Sequence, residues 1–284
     1  MRAPTQGGYW PDWGLFGDAM VVGLLLAAVL PLLGVVLVLR QQTFVAAAIG
    51  QSANLGIAVT VWLAAWLGDG HGHAEGLAPF GAGVAAVVTA GLAMRALSTQ
   101  NSTLEARSAF WFVVGGSAAM LLLAPLPHGQ HTVQRLFLSS LLAVQPHDVW
   151  LAAGAALAVG VGWGRLPRRL LLWATDPKTA AAHGLGVARW DWLVGAATGL
   201  VLGHAIFTAG LLFSFGTTIL PVLVARELAS SLRGVVFAAP LLGVVAQVAA
   251  FSIAHRLDLP PGQTAVVVQG AMVVLAMALA RGRR

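Results

Sequence analysis

Eight stretches of this chain carry no Asp, Glu, Lys or Arg and approach or exceed the length needed to cross a bilayer. They are residues 19–39, 43–67, 76–94, 108–126, 149–164, 192–225, 235–254 and 262–280. A helix rising about 1.5 Å per residue needs about 20 apolar residues to traverse the hydrocarbon core. In lipid every main-chain N–H and C=O must be satisfied within the protein, so runs of this kind fold as helices. The pattern predicts an all-α, polytopic transmembrane helix bundle, a single membrane domain over residues 1–284 with no appended soluble domain. Composition excludes the alternative. Only 9% of the residues are charged and 58% are hydrophobic, whereas a soluble domain is about 25% charged. Arg2 is a thin positive start, and no small-residue cleavage motif follows the first run, so that run is expected to be retained.

The run 192–225 is too long for one ordinary span and tight for two, with Gly216 and Pro221 as the expected break. The distribution of basic residues decides between the two. Cytoplasmic loops carry an excess of Lys and Arg. With the N-terminus outside and two crossings in this run, Arg40, Arg95, Arg107, Arg165, Arg168, Arg169, Lys178, Arg189, Arg226, Arg233, Arg281, Arg283 and Arg284 all face the cytoplasm. That is thirteen of the 16 Lys and Arg residues; a single crossing would leave nine inside. The expectation is therefore about nine membrane-crossing segments, N-terminus outside and C-terminus cytoplasmic. His71, His73 and Glu75 then lie in one outer loop, and His128, His131 and His147 in another. The longest cytoplasmic segment is 165–191.

Several function classes are excluded. The chain has no Cys, hence no disulfide and no thiolate chemistry. Its formal net charge of +6 comes from residues flanking apolar runs, which reads as membrane orientation rather than nucleic-acid binding. No G-x-x-x-x-G-K-[ST], H-E-x-x-H or G-x-S-x-G occurs, so neither nucleotide hydrolysis nor those nucleophile or zinc chemistries are expected of this chain. It reads as a transport subunit, not an enzyme, with no cofactor, in the bacterial inner membrane. Energy for uphill movement would come from a partner chain or an ion gradient.

Polar residues inside the runs are the candidate sites. Gln51, Ser52 and Asn54 sit within 43–67 beside Gly50 and Gly56. Polar groups in lipid face the bundle interior, where they line a path or glue helices together. His204 stands alone in 192–225; it suits a metal or proton contact, or a neutral ring bonded to a neighbouring main chain. The loop histidines suit transient Zn²⁺ capture, or simple solvation. In the cytoplasmic segment, Asp176 with Pro177 behind it is an N-cap signature, and Gly184 a C-terminal stop. A short helix there suits docking to a soluble partner, or a plain connection.

Four pieces in order resemble the ABC-3 family, membrane permeases of binding-protein-dependent importers for zinc, manganese or iron. TDPKTAAAHGLGV at 175–187 is similar to the family's FDPEFARALGL segment. LFLSSLLAV at 136–144 with Asp148 is similar to LFGSLLAVS..DL. The stretch 210–226 resembles GVLLVSALLILPAATAR, and LPPGQT at 259–264 resembles LPPGAT. The resemblance implies an ATPase-docking role for Asp176, Pro177, His183, Gly184 and Leu185. It also implies a cytoplasmic ATP-binding subunit, an extracytoplasmic solute-binding protein and a second copy of the chain as partners. One motif departs. Where the family carries GDALSHAxLPG, this chain has AAAIGQSANLG at 46–56, so Ala47 stands at the Asp position, Gln51 at the His position and Leu55 at the Pro position. An amide oxygen ligates Zn²⁺ poorly beside an imidazole. The remaining candidates for a substrate path are Gln51, Ser52, Asn54 and His204. A metal chelate or another small solute as substrate, a secondary transporter driven by ions, and a non-transporting scaffold derived from a permease are the alternatives.

Overall fold

The computed structural model describes residues 13–66, 81, 83–89, 104–126, 141 and 144–281. These residues form helices α1 (Trp13–Leu39), α2 (Thr43–Trp66), α3 (Leu104–Leu123), α4 (Pro146–Arg165), α5 (Pro167–Thr175) and α6 (Pro177–Ala182). Then follow α7 (Val187–Ala209), α8 (Leu211–Leu228), α9 (Leu232–Leu257) and α10 (Pro261–Arg281). A further helical segment covers 83–89, and no strand occurs among the described residues. The all-α architecture expected from the apolar runs is what the chain adopts.

Six of these helices are long and apolar enough to cross a membrane: α1 from Gly17, α2, α7, α8, α9 and α10. A seventh candidate is the pair α4 and α5, bent by 86°. The apolar part of α3, Ser108–Leu123, is shorter than a full span, and most of the run 76–94 lies outside the described residues.

Helix α1 is the hub. Val22, Leu26, Leu30 and Leu37 are wholly buried, and the helix packs against α4, α8 and α9. Its closest approach is at Gly34, where any Cβ would collide with the main-chain carbonyl of Thr218 on α8. With no hydrophobic driving force between helices inside lipid, such small-residue contacts bring backbones together. Outward faces are apolar in the opposite sense, with Phe237, Leu241 and Val267 exposed, as lipid-facing positions should be.

The long run 192–225 does divide into two helices, but not at the expected place. The break is Gly210, with φ 85° and ψ 164°, a conformation only glycine adopts without strain. Gly216 and Pro221 lie inside α8. Gly216 faces Val266 of α10, a packing contact. Pro221 is carried within α8, as membrane helices allow when their neighbours hold them.

Candidate functional site

The α2 trio is enclosed within the bundle. Gln51, Ser52 and Asn54 are all buried, Asn54 completely. The Ser52 hydroxyl donates to the Ala48 carbonyl at 3.0 Å, so it is satisfied by its own helix. The Asn54 amide donates to Gln51 Oε1 at 3.4 Å. Asn54 Oδ1 is buried with no hydrogen-bond partner among the described residues. Helix α3 makes room for Gln51 with a pair of glycines. A Cβ at Gly116 would stand 2.7 Å from Gln51 Oε1, and one at Gly115 3.5 Å from the Gln51 main chain. On the other side, Gly50 faces Ile206 and Leu211, which flank the Gly210 break. The trio is thus wedged between α3 and the α7–α8 junction. Ala47, a turn before Gln51, is a buried methyl.

His204 has a neighbour that the sequence did not reveal. Its ring lies near Asp148 and His147 of α4. Asp148 sits in the first turn of α4, where its Oδ2 accepts from the Gln145 N–H at 2.9 Å. Its Oδ1 is 3.5 Å from His147 Nε2, and the two side chains are 5% and 60% exposed. His147 therefore stands at the surface with Asp148 behind it. His204 Nε2 is buried without a hydrogen-bond partner. No set of three or more His, Cys, Asp or Glu residues able to hold a metal ion occurs among the described residues. The loop residues His71, His73, Glu75, His128 and His131 lie outside them.

The segment 165–191 forms α5, α6 and the first turn of α7. Helix α6 is closed at both ends as the sequence reading expected. Asp176 Oδ1 accepts from the N–H groups of Lys178 at 3.1 Å and Thr179 at 3.0 Å, with Pro177 in the first turn. The Thr179 hydroxyl, then the Thr179 and Lys178 N–H groups, hold the Asp176 carboxyl below its ordinary pKa. At the other end the Leu185 N–H donates to the Ala180 carbonyl at 3.0 Å and the Gly184 N–H to Ala181 at 2.9 Å. This is a Schellman closure, and Gly184 supplies its positive φ of 78°. His183 Nδ1 donates to the Thr179 carbonyl at 2.9 Å. Asp176, His183 and Gly184 are exposed and Pro177 and Leu185 half-buried.

A buried cluster pins this segment to the bundle, and nothing in the sequence pattern announces it. Arg40, just past α1, reaches Asp191 on α7 at 3.5 Å, with both side chains nearly sealed from solvent. Its guanidinium lies 3.9 Å from the Trp173 ring centroid and donates to the Trp173 carbonyl at 3.1 Å. Trp173 Nε1 donates to Asp191 at 3.1 Å. Burial lowers the Arg40 pKa and the Asp191 carboxylate opposes the fall. The end of α1, α5 and the start of α7 thereby form one unit directly before and after α6.

Comparison with known proteins agrees with this architecture. The model of the ABC 3 transport family matches residues 14–280. The manganese import system permease protein ScaB of Streptococcus gordonii is 21% identical over 274 residues, 96% of this chain and 94% of the relative. The manganese transport system membrane protein MntC of Halalkalibacterium halodurans is 24% identical over 261 residues, 91% and 85% of the two chains. Among solved structures, a chain of PsaBC from Streptococcus pneumoniae, in complex with Fab, superposes with a TM-score of 0.76 at 19% identity, covering 93% of this chain and 91% of that one. The inward-facing structure of an ABC transporter described as of the metal-chelate type gives 0.71 at 15%, covering 96% and 92%.

Proposed function

The chain belongs to the ABC 3 transport family, and from that membership we propose that it is the membrane-spanning permease of a binding-protein-dependent importer of divalent metal ions, manganese first among them. The family and the several apolar helices make it a multi-pass protein of the bacterial inner membrane and a transport subunit rather than an enzyme. In the proposed assembly, a second copy and a cytoplasmic ATP-binding subunit complete the transporter, and an extracytoplasmic solute-binding protein delivers the ion. Nine crossings, with the N-terminus outside, put segment 165–191 on the ATPase side.

The observation that carries the reading is the capped helix α6, its exposed face held beside the pinned cluster of Arg40, Trp173 and Asp191. In this reading Asp176, Pro177, His183, Gly184 and Leu185 present the docking surface. Closure of the ATPase pair pushes α6, and the Arg40–Asp191 pair passes that push to α1 and α7. Transport then follows from two conformations that bind the ion differently. Two open valences, Asn54 Oδ1 and His204 Nε2, with Gln51 and Ser52 beside the first, supply candidate contacts for a passing cation. Asp148 joins His204 as a carboxylate of the kind that hard divalent ions prefer.

A metal chelate is the second reading. Ala47 and Gln51 favour it, because a methyl and an amide suit a coordinated ion better than a bare one. Reconstitution of the chain with its ATPase and binding protein in liposomes separates the readings. ATP-dependent uptake of Mn²⁺, Zn²⁺ or Fe²⁺ that falls in His204→Ala supports the ion. ATP turnover with movement of a chelate but of no free metal overturns it.

A further inference from the structure

Helices α4 and α5 meet at the 86° elbow, and the space beside that elbow is not filled by protein. A groove of about 600 Å³ runs between the elbow, α9 and the back of α1, within the range of small-molecule sites (roughly 300–1,000 Å³). Its floor is apolar, built from Leu32, Trp163, Leu171, Val236 and Phe237. Two basic residues, Arg168 of α5 and Arg233 of α9, border the same groove. Both residues are exposed, and neither forms an ion pair among the described residues. Gly160 lies on the groove wall, and a Cβ built on it would meet nothing within 4 Å.

We propose that this groove binds one anionic phospholipid, its phosphodiester on Arg168 and Arg233 and an acyl chain along Trp163 and Phe237. Charge and shape together select that occupant. A free phosphate would satisfy the two cations and leave the apolar floor bare. An apolar helix would fill the floor and bury the cations unpaired, which is costly. An anionic lipid does both, as basic pockets between membrane helices do. Phe237 is 80% exposed, so the groove opens sideways to the lipid that would supply it. The lipid would brace the elbow from which α6 is hung, making the setting of α6 depend on headgroup charge. The binding site itself stands whichever solute the protein carries.

Native mass spectrometry of the purified full chain tests this with phosphatidylglycerol, phosphatidylcholine or inorganic phosphate added. Phosphatidylglycerol should be retained on the order of tenfold over phosphatidylcholine, since each basic residue contributes at the membrane surface. Arg168→Gln with Arg233→Gln should erase the preference. Gly160→Leu should fill the groove and remove the bound lipid while leaving the melting temperature unchanged, which guards against loss of fold in the arginine variants. Equal retention of the two lipids would overturn the proposal, as would a preference that survives both variants. Displacement of the lipid by phosphate alone would make it an anion site only. Disulfide cross-linking of Phe237→Cys between two copies would make the groove an interface.

Discussion

The two candidate regions of this protein hold their polar groups differently, one around a buried ion pair and the other around neutral side chains. Helix α6 closes both ends on its own residues, with Asp176 accepting at one end and Gly184 and Leu185 donating at the other. Around it, Arg40, Trp173 and Asp191 form an ion pair and two hydrogen bonds in a sealed cluster, although Arg40 Nε and Nη1 are buried without a hydrogen bond among the described residues. The interior patch is less paired. Ser52 is self-satisfied, but Asn54 Oδ1 and His204 Nε2 are buried and open. An unsatisfied buried acceptor costs about 1–3 kcal/mol, and a protein carries such a cost where it serves a ligand or a moving part. Under the proposed function, the difference separates a segment that is pushed from a region that engages something in transit.

The largest test breaks the rigid side. Arg40→Ala removes the positive charge that faces the buried Asp191 carboxylate and should cost about 3–5 kcal/mol in thermal or denaturant unfolding. Arg40→Met combined with Asp191→Leu should recover a good part of that loss, because two apolar groups leave no charge behind. Should the single change prove harmless, the cluster is not what holds α5 and α7 together.

The next test sharpens the packing of the patch. Gly116→Ala drives a methyl toward Gln51 Oε1 and should destabilise by about 1–3 kcal/mol. Because the crowded atom ends a flexible side chain, Gln51→Ala should relieve most of the penalty in a double-mutant cycle. Additive effects would mean that Gln51 does not lie under α3.

Smaller in stability but sharper in meaning is Asn54→Leu. Removing an amide whose oxygen is already unpaired should leave unfolding within about 1 kcal/mol of the parent, while metal uptake falls. A marked loss of stability with uptake intact would return the trio to the role of helix glue.

The smallest effect is in pH. The Asp176 pKa is lowered in the folded chain, so its cap contributes fully above the unfolded carboxylate value of about 3.9 and is lost as pH falls through the lower folded one. Amide exchange protection at Thr179 and Ala180, corrected for intrinsic rate, should be flat from pH 5 to 8 and fall only in stronger acid.

Much of this was legible in the sequence, for reasons that can be named. Apolar runs fix helices because lipid allows little else, and the Asp-Pro start and Gly stop of α6 are local chemistry that needs no tertiary context. The division of 192–225 was legible from charge, but its position was not. Gly216 and Pro221 look like breaks locally, yet Gly216 serves the contact with Val266. Gly210 takes the turn through a backbone conformation that composition does not display. The elbow at Leu166 and Pro167, the pairing of Arg40 with Asp191 and the approach of Asp148 to His204 are meetings of distant segments, and no spacing rule reports them. Asp148 had surfaced only as part of a family-like segment.

The central claim is that one region couples to ATP and the other to the ion. Its most direct test measures ATP hydrolysis and Mn²⁺ uptake in the same proteoliposomes, for the parent chain, Asp176→Ala and His204→Ala. The account predicts that Asp176→Ala lowers hydrolysis and uptake together, while His204→Ala keeps hydrolysis and lowers uptake by a factor of about 10, the worth of one lost contact of about 1.4 kcal/mol. Uptake untouched by His204→Ala, or hydrolysis untouched by Asp176→Ala, would contradict that division.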